Sequence, residues 1–139
     1  MALDKLIVYL RTAQLFYHDC HNKTKGPSFA ADHGLFSDFY GQAEGDYDSV
    51  AERFIGLNGS EAFDSLDVIA KAAELLGAFP KVTEAPDMFK VGLGLEQSIV
   101  NVCEQCDKDP KYSAGTRDLT GGIADAAEVR IYKIKQRTK

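Results

Sequence analysis

Three side chains of metal-binding type, His33, Asp48 and Glu52, lie on one unbroken helix-forming stretch, residues 28–58. No proline interrupts it. Its apolar residues recur at heptad spacing, with Phe29, Phe36, Ala43, Val50 and Leu57 in one row and Tyr40, Tyr47 and Phe54 in the other. With His33 at zero on a helical wheel, Asp48 falls at about 60° and Glu52 at about 100°, so all three face one side. Along the axis, however, about 22 Å separates His33 from Asp48 at roughly 1.5 Å per residue. One chain cannot bring them to a single ion. A second copy running antiparallel across a two-fold axis would bring each histidine to the other's carboxylates. Gly34, Gly41 and Gly45 share this flank; they are poor helix formers that permit close backbone approach. The pattern reads as an intersubunit metal site.

The elements that must hold these groups are helices. The first spans residues 2–21, with Leu3, Leu6, Ile7, Leu10, Ala13 and Phe16 as its apolar stripe. Gly26-Pro27 closes a turn, Ser28 is a candidate N-cap for the second helix, and Asn58-Gly59 ends it. Residues 61–77 read as a shorter helix inside a long crossover. Thr83 or Asp87 is expected to open the third long helix, with Pro86 in its first turn and an end near Cys106. The last helix is expected to begin between Ser113 and Thr116 and to run nearly to the end. Helix, helix, long crossover, helix, helix is the layout of an all-α, ferritin-like four-helix bundle, here one domain over residues 1–139.

Composition narrows the function. With 139 residues the chain can bury a real core, and a net charge of -5 argues against broad nucleic-acid affinity while suiting a protein that gathers cations. No apolar run is long enough to span a bilayer, and the opening residues, with Asp4, Lys5 and Arg11, do not read as a signal peptide. Three cysteines form no disulfide framework, which makes a reducing cytoplasm the simplest expectation.

On these residues the sequence resembles the Dps family, the small ferritin-like cages named for DNA protection in starved cells. The resemblance rests on His21, Gly26, Phe29 and His33, then Asp48-Ser49-Val50-Ala51-Glu52-Arg53 and Leu57-Asn58-Gly59, and resumes at Ala114-Gly115-Thr116-Arg117-Asp118-Leu119. It implies that His21, His33, Asp48 and Glu52 are the ligands of a ferroxidase centre built across a dimer two-fold. It further implies a dodecamer that binds iron, oxidises Fe(II) with hydrogen peroxide or oxygen, stores the ferric product and so protects against oxidative damage. Imidazole and carboxylate suit iron, and two of each leave open coordination positions.

The chain also departs from the family. Ser37 stands where an Asp is usual, at about 40° on the wheel, while Asp38 lies at about 140°, outside the ligand flank. One carboxylate is therefore missing unless a local helix distortion brings Asp38 in. Asn22 replaces the Trp that commonly follows the first His, and a Lys-rich N-terminal arm like that of some members is not expected. His18, one helical turn before His21, is either an auxiliary ligand or a supporting histidine. Cys103-x-x-Cys106 reads as two helix-borne thiols, one buried and one incidental, rather than a redox or zinc motif. Lys133, Lys135, Arg137 and Lys139 could bind DNA weakly and non-specifically, but positive charge at a helix C-terminus also complements its dipole. The competing reading is a Dps-like structural or DNA-compacting shell without ferroxidase activity.

Overall fold

The computed structural model describes residues 2–139, and these form an all-α bundle of five helices without a strand among the described residues. α1 (Ala2–Lys23) buries Leu3, Leu6, Ile7, Leu10, Ala13, Phe16, Tyr17 and Cys20, the three-and-four spacing of a one-sided apolar stripe. Its first turn is closed from far away in sequence. The Leu3 N–H, which has no acceptor inside the helix, donates to Tyr112 Oη at 3.2 Å. Gly26, at φ +99°, takes the left-handed conformation that turns the chain back.

α2 (Phe29–Asn58) is the longest helix. Ser28 stands at its N-cap position, but its hydroxyl makes no capping bond. Its φ and ψ of -94° and 14° are not the extended backbone that aims a cap hydroxyl at the first-turn amides. The strong first-turn contact is instead Asp32, buried and held by Arg137 through two bonds, Nε to Oδ1 at 2.8 Å and Nη2 to Oδ2 at 2.9 Å. Phe36, Ala43, Tyr47, Val50 and Phe54 are buried as the heptad rows require, whereas Phe29 and Leu57 are exposed. At about 45 Å, α2 is longer than α1 at about 33 Å and α5 at about 36 Å, so its apolar rows extend beyond the packing.

The crossover starts at Gly59 (φ +90°) and holds a single 3-10 turn, Ser60–Ala62, before α3 (Ser65–Ala78). The helix expected over residues 61–77 therefore begins later. Asp64, in extended backbone, accepts from the Leu66 N–H at 3.0 Å and is the N-cap. α4 (Ala85–Lys108) has Glu84 at its N-cap and Pro in its first turn, so neither Thr83 nor Asp87 opens it, and it runs past Cys106. α5 (Ala114–Arg137) begins as expected at Ser113, whose Oγ accepts from the Thr116 N–H at 3.1 Å.

α1 and α2 form one hairpin, α4 and α5 another, α1 also packs on α4, and α3 lies on α1. One apolar core joins them, with Tyr17, Phe36, Phe39, Met88, Phe89, Ile99 and Ile134 at its centre. Within that core sits an ion pair. Arg130 Nε and Nη2 donate to Glu96 Oε2 and Oε1 at 2.9 and 3.0 Å, and both side chains are essentially inaccessible, 2% and 0%. Tyr17 Oη donates to Glu96 Oε2 at 2.6 Å, and Arg130 Nη1 donates to Gln42 Oε1 at 2.8 Å. Gly92 makes room for Tyr17, whose ring and hydroxyl would lie 3.1 and 3.2 Å from any Cβ added there.

The α5–α2 clasp gives a direct expectation. Arg137→Met leaves Asp32 buried without its donor, which should cost about 1–3 kcal/mol. A urea midpoint that does not fall, at unchanged m value, would show that the clasp does not hold the start of α2.

Candidate metal centre

The short turn between α1 and α2 folds the last turn of α1 onto the start of α2, so that His21 meets His33. Their rings stack with centroids 3.6 Å apart and planes at 22°. Each ring reaches the other residue's backbone, His21 Nδ1 to the His33 carbonyl and His33 Nδ1 to the His21 carbonyl, both at 2.8 Å. A carbonyl oxygen can only accept. Both Nδ1 atoms therefore carry the hydrogen and donate, leaving each Nε2 with its lone pair free for a metal. Hydrogen bonding through the second ring nitrogen is how metal-binding histidines are oriented.

The surroundings hold the rings in place. Phe29 stacks on His33 at 4.9 Å, Tyr40 meets His21 edge-on at 5.4 Å, and His18 lies flat on Tyr40 at 4.3 Å and 12°. His18 is thus tied up in aromatic stacking, with its ring centroid 6.3 Å from that of His21. The apolar row that holds Tyr40 anticipates its packing, but not its contacts with His18 and His21.

The carboxylates lie elsewhere on the same helix. Asp48 and Glu52 are exposed, further along α2, and no group of three or more His, Cys, Asp or Glu side chains gathers within one chain among the described residues. Arg53, beside Glu52, directs Nη1 to Thr116 Oγ1 at 3.1 Å. α2 is α-helical without a break from Phe29 to Asn58, so the distortion that would carry Asp38 into the ligand flank does not occur. Asp38 is exposed and Ser37 half-buried. A Cβ added at Gly34, Gly41 or Gly45 would meet open space, so nothing in the same chain makes the close approach these glycines permit.

Both thiols of the Cys103-x-x-Cys106 pair are buried, as is that of Cys20, which corrects the expectation that one is incidental. Their positions along α4 turn both toward the core. Burial pushes Cys20 and Cys103 up to about 12 and Cys106 up to about 11. Such thiols stay protonated at neutral pH and are poor nucleophiles and metal ligands. In the basic tail, Arg137 is committed to Asp32, leaving Lys133, Lys135 and Lys139 exposed for any contact with phosphate.

A thiol whose folded value lies above its unfolded value of 9.0 stabilises the fold fully below about pH 9, and that contribution is lost as pH rises toward the folded values. The urea midpoint is therefore expected to be level from pH 7 to 8 and to fall between pH 9 and 11. A thiol reagent at pH 8 should label the native chain far more slowly than the denatured one. Rapid labelling of native protein would contradict the burial of this group.

No family model and no curated protein matches the sequence. Solved structures match the fold. Dps from Thermosynechococcus elongatus aligns with a TM-score of 0.86 at 20% identity, over 99% of this chain and 88% of that one. Dps from Staphylococcus aureus aligns at 0.81 and 18% identity, over 99% and 93%. Dps from Microbacterium arborescens, solved in its high iron form, aligns at 0.78 and 13% identity, over 98% and 89%. The chain has the Dps fold, a ferritin-like four-helix bundle with an extra short helix in its long crossover.

Proposed function

We propose that the chain is a divergent Dps-family protein, the subunit of a dodecameric cage that takes Fe(II) as substrate, oxidises it with hydrogen peroxide and stores the ferric product. The observation that carries this reading is the reciprocal bonding of the half-buried His21 and His33, which leaves two Nε2 lone pairs available side by side on a Dps-type fold. Asp48 and Glu52 of a two-fold partner complete the site. The open space over Gly34, Gly41 and Gly45 on that flank is compatible with a partner helix lying there. Two Fe(II) give up one electron each, and one peroxide with two protons takes both to become two waters. The chain's part is to hold Fe(II) between imidazole and carboxylate and to keep both imidazoles in the ligating tautomer. Ser37 removes one carboxylate from this set, so one iron position binds weakly and oxidation responds to Fe(II) concentration over a wider range.

Subunit mixing tests both the ligands and their division between chains. His33→Ala alone, and Asp48→Ala with Glu52→Ala, should each abolish peroxide-dependent Fe(II) oxidation while leaving the assembly intact. Unfolding and refolding the two variants together makes half of all two-fold pairs mixed, and each mixed pair carries one complete site and one site stripped on both sides. About one quarter of wild-type activity should return. No recovery from a mixture that assembles normally would reject the intersubunit site, and unchanged oxidation in His33→Ala would reject the ligand assignment. DNA compaction at moderate salt by the wild type, lost in Lys133→Ala with Lys135→Ala and Lys139→Ala, would favour the shell without redox activity.

A further inference from the structure

A second group of cation-binding atoms runs from the buried Tyr17, Glu96 and Arg130 out to the exposed Gln42 and shares no residue with the His21/His33 pair. Glu96 Oε1 and Oε2 from α4 and Gln42 Oε1 from α2 accept from the Arg130 guanidinium of α5 at 2.8 to 3.0 Å, and Tyr17 Oη from α1 donates to Glu96 Oε2 at 2.6 Å. Asp46, one turn beyond Gln42, adds a fifth source of oxygen. Its Oδ2 is buried and has no hydrogen-bond partner. Burial raises Asp46, the Arg130 charge opposes that rise and the Glu96 charge adds to it, so the carboxyl lies within the field of the pair.

Two features distinguish this group from an ordinary buried ion pair. The charges do not balance, because one guanidinium faces two carboxyls and satisfies only Glu96 with hydrogen bonds. A divalent ion would match both. The donors are also of the right kind, since carboxylate, amide and phenol oxygens from facing helices suit hard divalent cations, and facing helices of a bundle core are where such ions are held. Arginine is the one side chain that can occupy such a point permanently, because it does not lose its charge and its planar fork binds a carboxylate through two parallel bonds.

We propose that the centre of the bundle is an oxygen-lined cation site whose occupant in this chain is the Arg130 guanidinium, and that Arg130 is the residue that closes it to divalent metal. The interior is thereby reserved, and metal entering the protein is left to surface groups.

The test is divalent-ion binding, with Mn(II) and Co(II) as probes in equilibrium dialysis and in thermal unfolding. All variants carry His33→Ala, which removes one surface imidazole from the count. Adding Arg130→Ala should bring one extra ion per chain and raise Tm by roughly 5 °C or more on adding metal. Adding Glu96→Gln as well should cancel both effects. Arg130→Lys, which keeps a cation in place, should bind no extra ion. An unchanged metal count in folded Arg130→Ala overturns the proposal. So does a variant that stays unfolded in millimolar Mn(II) and Co(II) while Arg130→Lys folds, because a true cation site would be refilled and the fold recovered. The outcome is independent of iron oxidation, so failure here and failure of the intersubunit reading are distinct results.

Discussion

The buried Arg130–Glu96 pair sets the strictest condition on this fold. Taking both charges out of water is costly, and their attraction offsets that cost only if the remaining donors and acceptors are met. Meeting them draws one group from each long helix: Tyr17 from α1, Gln42 from α2, Glu96 from α4 and Arg130 from α5. An axial slip of any one helix by a single turn, 5.4 Å, would leave a buried charge or hydroxyl without its partner. Apolar packing alone would tolerate several such registers. The polar centre selects one, and Gly92 belongs to the same condition because a side chain there would displace the Tyr17 hydroxyl.

That fixed register places the last turn of α1 beside the start of α2, where His21 and His33 meet. The clasp between Arg137 and Asp32 holds the same end of α2 from the other side, one residue from His33. The imidazole pair is thus braced by the hairpin turn, by aromatic stacking and by the end of α5. The carboxylates at the middle of α2 have no such bracing within one chain, and they stand on the exposed surface.

Where burial and local geometry decided the outcome, the sequence was readable. The stripe of α1, the left-handed Gly59 and the Ser113 cap follow from spacing and residue type acting over a few positions. Ser28 and Thr83 are capping residues by type, but capping depends on backbone angles and on which turn starts the helix. Contacts between distant residues left no local trace. Arg137 meets Asp32 across 105 positions, and Tyr112 meets Leu3 across 109. In the candidate site, the common flank of His33, Asp48 and Glu52 was visible from helical periodicity. The mutual carbonyl bonds of the two histidines were not, because they depend on how tightly the turn after α1 folds back.

Those carbonyl bonds join residues only 12 apart, so the imidazole pair forms within a single hairpin. Each ring is held by the backbone of the other's helix, so both bonds depend on how closely α1 and α2 approach at the turn. The turn between α1 and α2 therefore sets the position of both rings. Under the proposed reading, local opening of the turn between α1 and α2 would take both rings from a bound ion together, so metal release would track hairpin stability.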